Sequence, residues 1–398
     1  MKRDLLIYLL SEAFVKLMPF LLLPYLTNML GVDGYADLSI YRSYAAILTI
    51  FIGLSAGGSV ARYYYRYSLN NIDGLIYVSN FWILFLGLFL YIVAQYFGEV
   101  ILQMAVVSST MQGCLTACLS KFQASKNPKK YMLIQVVNVI LSTLLTVCLF
   151  ELDDSSAINR IYSLQLSIFI AITIACPKNK RVRYTWLRFI RLSKYVLFYG
   201  LPLTFSSIAL ALKGNVDRLI IENSISSQEL GTISLAMQLG SLLSIAYLII
   251  NRAITPYVFE RFKFDKRNLN YFNRKQLFFL SIISLIPFFI CLLIPNNYLL
   301  YIFGKDFIDI KFFLLTYFFS YAPQFFVIIL TWKFLYFSYN KYIFFSSALS
   351  SAIHVLLVYL AVGYSVYVVP FVVFVSTLFQ VFLLLFFSSN IVEEINSK

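Results

Sequence analysis

Charged residues are scarce in this sequence, and their scarcity decides the class of protein. Asp, Glu, Lys and Arg make up 13% of the chain and apolar residues 60%, whereas about a quarter of the residues of a soluble globular protein are charged. This composition excludes a water-soluble fold and predicts a membrane protein. Period-two alternation of apolar and polar residues is absent, which argues for spanning helices and against a β-barrel.

Acidic residues, histidine and cysteine are also few. The chain has 18 acidic and 32 basic residues, one histidine (His354) and five cysteines, all in apolar stretches. We therefore expect no metal site, no cofactor and no catalytic residue. The bases are spread over short loops, so we expect contact with anionic lipids and no nucleic-acid partner. No Walker-type phosphate loop occurs, which argues against ATP hydrolysis and against an enzyme.

What the chain does contain is a series of apolar segments, each about as long as a helix needs to cross a bilayer. We predict about twelve spans, which gives an all-α, polytopic membrane protein. The predicted spans cover residues 5–30, 39–61, 75–97, 100–120, 131–151, 161–176, 195–221, 231–252, 276–296, 312–332, 342–362 and 366–388.

The basic residues predict the orientation of these spans. Most of the 32 lysines and arginines lie in alternate loops, and basic loops are retained on the cytoplasmic side. Both termini are therefore expected in the cytoplasm. A smaller set falls on the predicted outer side (Arg42, Arg160, Arg218, Lys305 and Lys311), and Lys16 and Lys213 lie within spans.

The most basic connection divides the predicted spans into two equal halves. We predict an N-terminal six-helix bundle over residues 1–176, a linker over 177–194 and a C-terminal six-helix bundle over 195–398. Two such halves enter the membrane from the same side, as in the parallel repeats of several transporters. Trp186, Leu187 and Ile190 form an apolar strip beside basic residues, which favours an interfacial helix in the linker.

Prolines within the spans predict kinks, because each removes a backbone hydrogen bond and clashes with the preceding turn. The candidates are Pro19, Pro24, Pro202, Pro287, Pro323 and Pro370.

Ionisable residues inside the spans are the candidate functional residues, since an intramembrane charge normally faces a partner or a water-filled cavity. Glu12 and Lys16 lie one helical turn apart, and Lys213 and Asp217 repeat that spacing beside Arg218. Two interpretations stay open: lining of a cavity between two lobes, or neutralised pairs that only orient helices. For His354 we expect a packed or hydrogen-bonded residue, with proton coupling as the alternative.

Several short segments together resemble the multidrug, oligosaccharidyl-lipid and polysaccharide exporter superfamily, and within it the bacterial O-antigen or capsule repeat-unit flippases. They are Leu23-Pro24-Tyr25-Leu26, Leu30-Gly31-Val32-Asp33-Gly34-Tyr35, Tyr199-Gly200-Leu201-Pro202-Leu203, Asp217-Arg218 and Gly231-Thr232-Ile233-Ser234-Leu235-Ala236. The similarity extends over the whole chain through diffuse motifs. Ala36 stands where the family more often has glycine.

This resemblance implies two pseudo-symmetric six-helix bundles that form a V-shaped cleft and open alternately to each side. It also implies an undecaprenyl-diphosphate-linked oligosaccharide as substrate, a bacterial inner membrane location, and a polysaccharide polymerase and chain-length proteins as partners. A diphosphate leaving water needs cations, which Lys16, Arg42, Lys213 and Arg218 could supply. Glu12 and Asp217 would balance these charges or couple transport to a proton or sodium ion.

Two other functions stay open from the residues alone. A drug or metabolite antiporter of the same fold is expected to carry an acidic cavity for organic cations, and the basic bias argues against it. A polysaccharide polymerase or sugar transferase generally has large outer loops or clustered acids and histidines. The longest predicted outer loop, about 295–311, is short.

Overall fold

Long apolar segments without strand signals fold into helices throughout the part of the chain that the structure describes. In this computed structural model the described residues are 13–67, 72–125, 127–176, 185–212, 214–222, 224–264, 280–337 and 339–396, and none of them lies in a strand. The helices form two units. We call residues up to Ala211 unit 1 and residues from Leu212 onward unit 2.

Unit 1 contains eight helices within the described ranges. They are α1 (Ala13–Leu21), α2 (Leu23–Gly53), α3 (Ala56–Tyr67), α4 (Ile72–Phe97), α5 (Val100–Ala124), α6 (Pro128–Leu152), α7 (Ala157–Ala175) and α8 (Trp186–Leu212). Local sequence fixes several of their ends. Asn127 and Ser156 cap α6 and α7, each accepting a hydrogen bond from the backbone N–H three residues on, which satisfies an otherwise unpaired donor.

The first two spans are broken at positions that the sequence marks. α1 and α2 meet at a 52° bend, just before Pro24 in the first turn of α2, as the prolines of this span predict. Gly31 interrupts α2 with φ 66° and ψ −173°, a conformation that glycine adopts without steric cost. α2 therefore holds the end of the first predicted span and the start of the second.

The core of unit 1 is built around α5, against which α2, α3, α4 and α7 pack. One cluster joins Val60, Leu75, Leu115 and Ile134 to Leu192 and Val196 of α8. A Cβ at Gly57 would lie 2.7 Å from the Ser120 hydroxyl, so this glycine allows α3 and α5 to approach closely, as small residues do at helix contacts in membrane proteins.

Besides a helical stretch at residues 280–284, unit 2 contains eight helices in the described ranges. They are α9 (Val216–Glu222), α10 (Ser227–Phe264), α11 (Ile286–Leu293), α12 (Asn296–Phe303), α13 (Ile310–Tyr321), α14 (Gln324–Tyr336), α15 (Asn340–Tyr364) and α16 (Val369–Asn396), with a 3₁₀ turn at Val366–Val368. Pro323 separates α13 from α14, and Pro287 lies in the first turn of α11. α11 and α12 meet at a 94° bend.

The core of unit 2 is aromatic. Val258, Phe262 and Trp332 form one cluster, and Leu243, Tyr247 and Phe325 form the next. Buried polar side chains accompany them: the Trp332 indole donates to Asn251 Oδ1 at 2.6 Å. Paired polar groups of this kind cost little in an apolar interior, whereas unpaired ones cost several kcal/mol.

The structure confirms an all-helical, polytopic membrane fold. Every predicted span overlaps helix. Within the described residues, eight helical segments are long and apolar enough to cross a membrane, or up to ten if each bent pair counts as one span. The predicted division at residues 177–194 stays a prediction, because 177–184 lie outside the described residues.

Candidate functional site

The most deeply buried ionisable pair in the described part of the chain joins α9 to α15. Asp217 and His354 both have 0% exposure, and His354 Nε2 lies 2.8 Å from Asp217 Oδ1. Asp217 sits in the first turn of α9, where the helix dipole favours a negative charge. A carboxylate and an imidazole are expensive to bury inside a membrane unit, which makes this pair a candidate functional site.

Ser376 of α16 completes this site. Its hydroxyl lies 3.1 Å from the Val373 carbonyl and 3.1 Å from His354 Nδ1, and it can donate to one of these two acceptors at a time. When Nδ1 accepts from Ser376, a neutral imidazole carries its proton on Nε2 and donates it to Asp217 Oδ1. We call Asp217, His354 and Ser376 the buried triad.

One oxygen of the buried triad is left open. Asp217 Oδ2 is buried and has no hydrogen-bond partner among the described residues. Tyr317 and Tyr321 of α13, and Arg218 next in sequence to Asp217, lie within electrostatic range of one another and of this carboxylate. Asp217 can therefore accept a further proton or ligand at Oδ2 without breaking its bond to His354.

Unit 1 buries a charge of a different kind. Arg160 of α7 is 4% exposed, and its guanidinium donates to the Thr146 hydroxyl, to the Ser142 carbonyl at 3.1 Å and to the Ser163 hydroxyl at 3.3 Å. Its Nε has no partner among the described residues. No carboxylate pairs with it in the described ranges, and an arginine does not lose its proton in proteins.

Arg160 is not among the predicted site residues. Its predicted place is on the outer side, just before a span that begins at residue 161. α7 instead begins at Ala157, which places Arg160 one turn inside the helix. The Ser156 cap is the signal that could have shown it. Arg160 also lies within electrostatic range of Arg42.

The predicted site residues are distributed over both units. Lys16 of α1, Arg42 of α2 and Arg218 of α9 are described and half-buried. Arg42 lies 5.9 Å from the Tyr35 ring. It was expected to begin the second span from outside, but it lies well within α2. Glu12 and Lys213 lie outside the described residues, so the predicted pairing of Glu12 with Lys16 stays a prediction.

The predicted pairing of Lys213 with Asp217 on one helical face stays a prediction, because Lys213 lies outside the described residues. α8 ends at Leu212 and α9 begins at Val216, and Gly214 between them has φ 96°. The described part of the predicted span 195–221 is therefore divided between two helices. The partner of Asp217 in the structure is His354, so the expected hydrogen-bonded role of His354 is confirmed.

Solved transporter structures share this fold. A structure described as the inward-facing conformation of a multidrug resistance MATE family transporter of the MOP superfamily is similar over 96% of both chains, with a TM-score of 0.75 and 14% identity. The inward closed conformation of the lipid II flippase MurJ is similar over 96% of this chain and 87% of its own, also with a TM-score of 0.75 and 14% identity.

Sequence relatives cover most of the chain. An uncharacterized membrane protein of Haemophilus influenzae is 31% identical over 357 residues, 88% of each chain. The Lsg locus putative protein 1 of the same organism is 30% identical over 358 residues, 89% of each. The model of the family described as polysaccharide biosynthesis protein matches residues 1–262. This chain therefore belongs to the polysaccharide biosynthesis protein family of polytopic membrane proteins.

Proposed function

We propose that this protein flips an oligosaccharide linked to undecaprenyl diphosphate across the bacterial inner membrane by alternating access, for the synthesis of an O-antigen or a capsule. Its family membership supports a role in polysaccharide synthesis. The shared fold with a lipid II flippase supports a transport mechanism. A polymerase and chain-length proteins would then act on the flipped product, and both termini would lie in the cytoplasm.

The substrate's diphosphate is recognised by cations within the spans. Lys16, Arg42, Lys213 and Arg218 are the basic residues proposed for this role, since phosphate oxygens form strong charge-assisted hydrogen bonds with ammonium and guanidinium groups. The apolar prenyl tail stays in the lipid, because transferring it from hydrocarbon to water would cost free energy. Basic residues outnumber acidic ones among the candidate residues within the spans, which favours an anionic substrate over the organic cations of a drug antiporter.

The buried triad couples this movement to protons, and the single observation that carries the proposal is the bond between Asp217 and His354 at 2.8 Å. In the loaded state, the Ser376 hydroxyl donates to Val373 and the pair holds one shared proton. In the unloaded state, the hydroxyl turns to donate to His354 Nδ1, and His354 Nε2–H donates to an ionised Asp217. One hydroxyl rotation therefore serves both states.

The two states differ by one charge in a buried site. The loaded triad is neutral, whereas the unloaded triad carries one negative charge, which is costly away from water unless a cation compensates it. Arg218, within electrostatic range of the same tyrosines, is placed to do so. Loss of the proton therefore favours a conformation of unit 2 in which water or a cation reaches Asp217, and this difference drives the transport cycle.

A proton suits this site better than a sodium ion. A metal ion takes several oxygen ligands, whereas Asp217 Oδ1 is already occupied by His354 and only Oδ2 is open. A proton needs no more than a transfer along an existing hydrogen bond.

The test is a flipping assay in liposomes with the purified full chain. The substrate is undecaprenyl diphosphate bearing a fluorescent oligosaccharide, and an impermeant quencher reports the leaflet. We expect wild-type protein to flip it, and a pH gradient to accelerate the movement. Asp217→Asn keeps the shape of the side chain but cannot exchange a proton, so it should lose the gradient dependence.

The matched control is Asp306→Asn, which alters an exposed carboxylate of the same unit and should respond to the gradient as wild type does. Absence of flipping by the wild-type chain would show that the proposed function is wrong. An unchanged gradient response in Asp217→Asn would leave flipping intact and remove the triad from coupling.

A further inference from the structure

A shallow polar cavity, wide open on one side, lies in unit 2, and none of the three residues of the buried triad lines it. It has a volume of about 580 Å³ and opens between the connection of α9 to α10 and the connection of α15 to α16. Its polar and aromatic lining consists of Ser224, Ser226, Glu229, Tyr364, Ser365 and Tyr367. Pockets that bind small ligands fall in the range of about 300–1,000 Å³.

Two tyrosine rings provide the cavity with flat surfaces. Tyr367 is held in place: its hydroxyl donates to Asp309 Oδ2 at 2.9 Å, and its ring stacks on Phe313 with centroids 5.3 Å apart and planes at 11°. Tyr364 is 87% exposed. A ring this exposed at a helix end is available to stack on a ligand, which a packed aromatic is not.

Hydroxyls and a carboxylate surround these rings. The side chains of Ser224 and Ser365 line the cavity, and their hydroxyls can donate to and accept from a ligand. Glu229 is fixed by a capping box at the start of α10, in which its Oε2 accepts from the Ser226 N–H at 3.3 Å and the Ser226 hydroxyl at 3.0 Å. Oε1 remains for a ligand.

This combination matches a sugar. A pyranose has C–H faces that pack on aromatic rings and a rim of hydroxyls that both donate and accept hydrogen bonds, and the lining supplies partners for both. The carboxylate of Glu229 would repel a phosphate at short range. The cavity is therefore chemically distinct from the basic residues proposed to bind the diphosphate.

We propose that the cavity is a subsite for the glycan of the transported lipid, and this inference rests on the proposed function. In the orientation that the basic loops predict, Ser224 and Ser365 lie at the outer ends of their helices. The subsite there binds the sugars as they leave for the outer face and favours carriers with a longer glycan.

The test compares two probes in the liposome assay: undecaprenyl diphosphate carrying one N-acetylhexosamine, and the same carrier with a pentasaccharide. The measured quantity is the ratio of the two flipping rates. Tyr364→Ala removes the exposed ring, and Ser365→Trp fills the cavity at a residue whose backbone is extended (φ −168°). Each should lower the pentasaccharide preference about three- to tenfold, the effect of one lost stacking contact.

Tyr96→Ala is the matched control, because Tyr96 is 89% exposed at the end of α4 and does not line the cavity. Its ratio should equal that of wild type. If wild-type protein flips neither probe, the proposed function and the subsite are both wrong. If it flips both while Tyr364→Ala and Ser365→Trp leave the ratio unchanged, or if Tyr96→Ala shifts it equally, the subsite alone is wrong.

Discussion

Within the described ranges, both units bury charged or ionisable side chains among apolar helices, but the two units stabilise these groups in different ways. In unit 1, Arg160 carries a permanent charge that hydroxyls and a carbonyl solvate. In unit 2, Asp217 and His354 lie 2.8 Å apart and form a hydrogen bond in which the imidazole can carry the proton. A guanidinium does not exchange its proton in the physiological range, whereas imidazole is the side chain suited to do so.

Because one buried group has a permanent charge and the other can exchange a proton, we expect the two units to have different roles. A charge that never changes can orient helices or attract anions, but it gives a protein no way to sense a proton gradient. A pair that gains and loses a proton biases two conformations by the difference in their proton affinity. We therefore expect coupling to reside in unit 2 and a static electrostatic role in unit 1.

Removing one partner of the unit 2 pair should have the largest effect. His354→Ala leaves the Asp217 carboxylate buried without its partner, which we expect to lower the free energy of unfolding by about 3–5 kcal/mol. Thermal unfolding of the purified protein in detergent measures this loss. His354→Gln, whose amide can still donate to Asp217, is the control and should recover part of it. Wild-type stability in His354→Ala would contradict a stabilising pair.

Substitutions of the basic residues within the spans should have the next largest effect. They test whether both units contribute to substrate binding. If the proposed function is right, Lys16→Ala in unit 1 and Lys213→Ala in unit 2 each remove one of the proposed charge-assisted contacts to the diphosphate. We expect each to slow flipping about tenfold at normal protein levels.

The control for these two variants is Lys305→Ala, which removes an exposed cation outside the spanning helices and should leave the flipping rate unchanged. Full activity in both Lys16→Ala and Lys213→Ala would rule out the proposed phosphate contacts.

The smallest effect is expected from removing the permanent charge. Arg160→Met abolishes an unpaired buried cation, while the Thr146 hydroxyl keeps its bonds to the Ser142 carbonyl at 2.6 Å and to Ser163 at 2.7 Å. The free energy gained by no longer burying an unpaired charge nearly cancels the free energy lost with the hydrogen bonds of the guanidinium. The free energy of unfolding should therefore change by less than about 1 kcal/mol. The response to a pH gradient should stay as in wild type.

Arg191→Met, which alters an exposed arginine of the same unit, serves as its control. A loss of pH-gradient response in Arg160→Met, with Arg191→Met unaffected, would place coupling in unit 1 and overturn the comparison.

The spans and their bends could be predicted because they depend on local sequence. An apolar run of sufficient length determines a spanning helix, and Pro24 and Pro323 mark breaks because a proline disturbs only its own turn and the preceding one. Gly214 shows where such reasoning fails. A helical spacing rule presumes a continuous helix, and nothing in the predicted span 195–221 showed that it would end at Leu212.

The buried triad could not be predicted because its contacts are not local. Asp217 and His354 are 137 positions apart, and no periodicity connects an acid in one span to a base in another. A usable signal was present, however. The chain has a single histidine, and it lies in an apolar span of the same half as Asp217. A group so costly to bury predicts a polar partner somewhere in that half.

The right-angled bend of 94° between α11 and α12 has a consequence for how unit 2 meets the bilayer. If α11 follows the membrane normal, α12 lies along the surface, with Leu299 and Phe303 buried and with Tyr298 and Tyr301 exposed by 64% and 85%. Tyrosines placed this way prefer the headgroup region. They would hold one end of unit 2 at a constant depth, so bilayers of greater thickness should strain this corner before any other part of the unit.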